Sequence, residues 1–302
     1  MSRWALAVLC AGALSAFPAC SIKKLAVNSL GNALAKGGDT YASDDDPELV
    51  RQAIPFALKT IESLLAESPR HEGLLLAAAS GFTQYSFAFV QADADVAEGT
   101  DLAKATELRR RALRLYKRAL GYGLRGLAVR HDGFERRLRA GDAVLKEATR
   151  EDVPLLYWTA AAWAAAISIA KDDAELAADL AVVEVLMRRA LELDEGFAAG
   201  SIHDFFIAYE GARPPAAGGS PEKARQHLER ALALSGGNRA APLVSYAESV
   251  LIAKQDRKEF ESTLNRALAV DADKVPEQRL ANLVAQRRAR WLLSRADELF
   301  VD

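Results

Sequence analysis

Cysteine is nearly absent. The 302-residue chain has Cys10 and Cys20 and no cysteine after residue 20. This excludes a disulfide framework and any cysteine-based metal site in the body of the chain. Histidine is scarce too: His71, His131, His203 and His227 are scattered, with no i,i+4 pair suited to a metal. The GxSxG, HExxH, P-loop and dinucleotide signatures are all missing. Neither sign of charge dominates. There are 39 Lys and Arg against 41 Asp and Glu, for a formal net charge of -2. That balance argues against nucleic acid as a main partner. With 19 glycines and 10 prolines, general disorder is not expected either. Together these absences predict no catalytic residue, no metal and no cofactor.

What is present is alanine, leucine and helical periodicity. Residues 1–19 read as a signal peptide: Arg3 supplies the charge, Ala5 to Phe17 the apolar run, and Ala19 a small residue before Cys20. The pattern resembles a bacterial lipobox, in which Cys20 would be lipidated and would anchor a water-soluble body to a membrane. An ordinary secretory signal cleaved near Ala19 is the alternative. Residues 20–46 read as the lipidated N-terminus and a tether. Asp44, Asp45 and Asp46 lack the spaced ligands and the glycine of a calcium loop, so they are expected to cap the helix that Pro47 opens.

From Pro47 to residue 302 the chain reads as a single all-helical domain. Breaks are expected at Ser68-Pro69, at Gly121 and Gly123, before Val153-Pro154, across Gly211 to Gly219, at Gly236-Gly237, and between Asp271 and Pro276. Five segments share one spacing of apolar positions: Ala57/Ile61/Leu64, Ala112/Tyr116/Ala119, Val183/Met187/Ala190, Ala224/Leu228/Ala231 and Phe260/Leu264/Ala267. They resemble the core of the second helix of a tetratricopeptide (TPR) repeat, where a small residue lets two helices approach and a larger one fills the groove. Their last residues advance by 55, 71, 41 and 36 positions, against about 34 for an ideal repeat. The expected fold is therefore all-α: degenerate TPR-like helical hairpins in a solenoid closed around a pore or cleft. An irregular helical bundle is the alternative.

The aromatic residues cluster. Tyr85 and Phe89 share a helical face with Phe82; Tyr157, Trp158 and Trp163 lie together, as do Phe205, Phe206 and Tyr209. Their ordinary fate is core packing. The sharper expectation is an apolar cavity for a small ligand, with Tyr85, Phe89, Tyr157, Trp158, Trp163, Phe205 and Tyr209 as lining candidates. The basic run from Arg109 to Arg118 is expected to be a solvated helix face balanced by acids. His203 and Asp204 adjoin in sequence, but neighbours on a helix point in different directions.

Four stretches carry a family resemblance: "SPRHEGLLLAAASGFTQYSFAFVQ" (68–91), "VPLLYWTAAAWAAAISIAKDD" (153–173), "LMRRALELDEGFAAGSIHDFFIAYEGARPPAAGGSPEKARQHLERALALSGGN" (186–238) and "RLANLVAQRRARWLLSRADELF" (279–300). The chain resembles the TatT family, the T component of TPR-associated TRAP transporters. The resemblance implies a periplasmic lipoprotein held by its lipid anchor; Ser21 after Cys20, where an Asp would suggest inner-membrane retention, points to the outer rather than the inner membrane. It implies an all-helical body with a pore or cleft and assembly as a homotrimer. The implied partner is the periplasmic substrate-binding P component, with a small hydrophobic ligand as cargo. Two other classes stay open: a TPR adaptor lipoprotein in cell-envelope assembly, and an enzyme with an unrecognised helical site.

Overall fold

The computed structural model describes residues 28–33, 38–141, 143–170 and 172–301. Among them every regular element is helical. The signal segment and Cys20 lie outside the described residues. Ten principal helices carry the body: α1 (Pro47–Glu67), α2 (Glu72–Tyr85), α3 (Leu102–Arg130), α4 (Val153–Ile169), α5 (Leu180–Leu193), α6 (Ser201–Gly211), α7 (Pro221–Leu234), α8 (Ala241–Tyr246), α9 (Arg257–Leu268) and α10 (Arg279–Ser294).

Their starts follow local chemistry. Asp46 accepts from Glu48 N and Leu49 N, both at 3.0 Å, ahead of Pro47. Asp101, Ser220 and Asp256 cap α3, α7 and α9 in the same way. Each cap satisfies amide groups that the helix itself leaves unpaired, contributing about 1 kcal/mol. Thr149 and Asp152 form a capping box before α4.

Gly121 and Gly123 do not end a helix: α3 runs through both to Arg130. The reason is packing. A Cβ on Gly123 would sit 3.0 Å from Thr159 Cβ and 3.1 Å from Thr159 Cα, inside contact distance. A Cβ on Gly126 would meet Leu155 Cδ2 at 2.6 Å. These glycines let α4 cross α3 closely. Gly121 faces open space.

Three consecutive cores result. The first joins α1, α2, α3 and part of α4; the second joins the end of α3 with α4, α5 and α6; the third joins α6 to α10. Four of the five triads lie fully inside: Ala112/Tyr116/Ala119, Val183/Met187/Ala190 and Phe260/Leu264/Ala267 are at 0 %, and Ala224/Leu228/Ala231 stays within 5 %. The first triad is out of register. Ile61 is buried, but its companions inside are Leu58 and Leu65, not Ala57 and Leu64. Two helical stretches, Glu72–Ala97 and Arg150–Ile169, are long and apolar enough to cross a membrane. About half of each apolar window is buried in the body (56 % and 50 %), because α2 and α4 both pack on α3.

The chain then returns to its start. Leu280 of α10 packs on the first core, and Arg279 Nη1 donates to Ser43 O at 2.8 Å. Arg288 reaches Asp95 at 2.9 Å and forks onto Glu248, while Arg287 lies 3.5 Å from Asp93. Two π-helical turns, Ser86–Gln91 after α2 and Ala247–Leu251 after α8, stand beside these acids. Glu248 lies inside the second turn; Asp93 and Asp95 follow the first. A π turn shifts the helix register by one residue and re-aims the side chains beyond it.

Candidate functional site

The seven candidate aromatics do not meet in one place. Tyr85 and Phe89 belong to the first core, 8 % and 3 % exposed, under Arg111 and Arg51. Trp163 is at 0 % in the second core beneath Arg139, and Tyr209 is nearly as buried. Tyr209 donates to Glu184 Oε2 at 2.5 Å, and Arg213 stacks over its ring at 3.7 Å. Burial and that carboxylate push the Tyr209 phenol up to about 12. These four rings are wall and core, held by their neighbours.

Tyr157, Trp158 and Phe205 are different: each is half-buried. Tyr157 meets Trp158 edge-on at 4.9 Å, and Phe197 covers it at 5.2 Å. Phe205 stacks on Tyr209 at 5.4 Å. Phe197 is positioned by unusual backbone. Ala198 (φ 46°), Ala199 (φ 55°) and Gly200 (φ 85°) are all left-handed, which suits glycine but strains alanine by about 1–2 kcal/mol each. The turn aims Ala199 O at Arg239 Nη1, 3.4 Å away. Arg239 also forks onto both carboxylate oxygens of Asp204. The Arg239 loop is fixed from behind by Asn282, which accepts from Ala240 N and donates to Asn238 O, each at 2.9 Å.

Burial is the largest influence on Asp204 and pushes its carboxyl up despite Arg239; burial pushes the Tyr157 phenol up as well. Yet a fifth of the Asp204 side chain remains exposed. Phe197, Asp204 and Arg239 were not among the sequence candidates. Asp204 and Arg239 are 35 residues apart, a separation that no local spacing encodes. Strained alanines leave no trace in composition.

His203 and Asp204 do point apart. His203 Nδ1 lies 2.8 Å from His227 Nδ1, and its Nε2 lies 3.3 Å from Glu195 Oε1. Glu195 favours the proton on Nε2, so His227 donates to His203. Phe206 stacks on His227, and Arg230 pairs with Glu195 at 2.7 Å. Burial lowers His203; burial, then His203 itself, Arg188 and Lys223, lower His227 to about 4. A depressed folded pKa means that the unfolded chain takes up protons first as the pH falls. Stability present above about 6.5 is therefore lost toward about 4. The thermal midpoint is expected to fall across that window, and less steeply in His227→Gln. An unchanged slope in the variant would remove this pair as the cause.

Two open clefts lie elsewhere. One of about 620 Å³ borders Leu102, Thr106, Glu107, Arg110 and Arg114. Another of about 310 Å³ lies among Asn28, Ser68, Pro69, Arg70 and His71. The basic run is balanced in part: Arg109 pairs with Glu98, Lys117 with Asp173 and Arg118 with Glu62.

Comparison with known proteins follows the same body. An uncharacterized protein of Treponema pallidum (strain Nichols) is 30% identical, over 99% of this chain and 96% of its own length. The family described as TRAP transporter T-component matches residues 43–300, through the closing helix α10. The chain therefore belongs to the TRAP transporter T-component family.

Proposed function

We propose that this chain is a periplasmic, lipid-anchored T component that docks the substrate-binding P component of a TRAP transport system and accepts a small apolar ligand. The family match across nearly all described residues carries this reading. Four buried triads support a TPR-like construction, since each sits where one helix packs on the next. The return of α10 to the first core supports a solenoid closed around a cleft. Cys20, eight residues before the first described position, is the proposed anchor. The half-buried Tyr157, Trp158 and Phe205 are the ligand-lining residues retained; Tyr85, Phe89, Trp163 and Tyr209 support them from the cores. A homotrimer at the outer membrane completes the proposal.

Native mass spectrometry of the purified protein mixed with a TRAP substrate-binding P component from the same organism tests the docking half. A stoichiometric complex is expected. Only free components, at concentrations well above micromolar, would end that half of the reading.

A further inference from the structure

The first described residues lie on the corner where α1 turns into α2. Ser68 Oγ donates to Asn28 Oδ1 at 2.9 Å. His71 Nδ1 accepts from Leu74 N, so the ring proton is on Nε2, which donates to Asn28 O at 3.3 Å. Gly31 is buried on the same corner, where a Cβ would stand 3.0 Å from both His71 Nε2 and Leu74 Cδ1. The short helical segment 28–33 is thus fastened to the body. Eight peptide steps separate Asn28 from Cys20, at most about 28 Å of chain. A helical domain of this length is about 45 Å across. A lipid on Cys20 therefore holds this corner, and not the far side of the body, next to a bilayer.

The chemistry of the corner suits that neighbour. The cleft of about 310 Å³ opens among Asn28, Ser68, Pro69, Arg70 and His71. Arg70 and Arg125 are exposed beside it. Arg70 Nη2 donates to Val129 O at 3.3 Å, and Arg125 Nη2 to Pro69 O at 3.0 Å. These carbonyls and, for Arg125, the Tyr122 ring are their partners among the described residues, with no carboxylate. Each guanidinium is held in place with most of its N–H groups free for phosphate oxygens. The acids nearby are engaged: Glu72 with Arg130, Glu62 with Lys59 and Arg118, and Glu67 has a partner too. Leu30, on the fastened segment, is 50 % exposed. Lys23 and Lys24 add charge of the same sign between anchor and corner. An apolar side chain flanked by free cations matches a layer of anionic headgroups.

We infer that the α1–α2 corner, with Leu30, Arg70 and Arg125, is the face this protein lays on an anionic phospholipid surface, so that the tether sets the orientation of the body as well as its distance. This rests on the lipid-anchored half of the proposed function.

The test uses the protein purified with its anchor, in phosphatidylcholine vesicles with and without phosphatidylglycerol. A nitroxide on Ser29→Cys, exposed on the fastened segment, reports contact by losing access to aqueous nickel; one on Lys258→Cys, exposed on α9, is the reference. With phosphatidylglycerol the Ser29 label is expected to be shielded and the Lys258 label to stay open. Arg70→Gln combined with Arg125→Gln should weaken the shielded state about thirtyfold at low salt, with little change in melting midpoint. Salt at about 0.5 M should release the label in the unaltered pair as well, since exposed charges are screened. Equal nickel access with and without phosphatidylglycerol would overturn the inference while leaving the anchor standing. Shielding that appears only on adding the P component would overturn it too, and would make the corner a protein-docking face. A Cys20 without acyl mass would remove the anchor half of the proposed function and this inference with it.

Discussion

Gly121→Ala and Gly123→Ala are expected to move the thermal midpoint in opposite directions, although the two sites are two residues apart on α3. Gly121 is exposed, and a Cβ there meets nothing within 4 Å. Alanine at that position limits the unfolded backbone and favours helix, a gain of about 0.5–1 kcal/mol. Gly123 is buried against Thr159, itself at 0 % exposure. Rotating the threonine hydroxyl cannot relieve the contact, because Thr159 Cα is also only 3.1 Å from the new atom. Helices α3 and α4 must separate, disturbing the first two cores at once. The expected cost is about 1–3 kcal/mol, after subtracting the same propensity gain. Urea melts of both variants measure the difference. If both prove more stable, the α3–α4 crossing is looser than described.

Arg288→Met is expected to open the junction where the end of the chain meets its beginning. Arg288 is the shared cation of Asp95 and Glu248. Methionine keeps much of its volume beside Trp291 but leaves two carboxylates facing each other. Breaking a buried pair in this way costs about 3–5 kcal/mol. Solvent still reaches 22 % of Arg288 and 38 % of Glu248, so the low end, about 3 kcal/mol, is expected here. The pH dependence identifies the cause. Burial already raises Asp95, with Arg288 the main opposing influence; removing Arg288 raises it further. A raised carboxyl stabilises the fold below its unfolded pKa and loses that contribution as the pH rises through the folded value. The variant should therefore lie close to the unaltered protein in acid and fall away toward neutrality. A deficit that does not change with pH would assign the loss to packing.

The parts of this fold that sequence could express were local. Asp46 with Pro47, and Ser220 with Pro221, announce helix starts because cap and first turn are contiguous. Four triads were legible because a single apolar stripe faces one neighbour. At α1 the stripe is two residues wide: Ala57 and Leu58 are both apolar, as are Leu64 and Leu65. Periodicity alone could not choose the inner pair. The glycines of α3 carried a second ambiguity. A glycine reads as a stop unless the crossing helix is known, and Thr159 lies 36 positions beyond Gly123. The aromatic cluster beside Asp204 was half legible. Tyr157 and Trp158 stood out by type, whereas Phe197, Asp204 and Arg239 gained meaning only from long-range pairing and from backbone strain.

The closure by α10 bears on the order in which the protein is made. Most contacts here join helices close in sequence, a topology that favours rapid local assembly. Arg288 and Asp95, however, are 193 positions apart. During synthesis from the N-terminus, α1 to α4 can complete their core while Asp95 still waits for its cation. The seam is then the last thing the chain acquires, and a chain that stalls before α10 would present the acids and the uncovered flank of the first core to whatever arrives first.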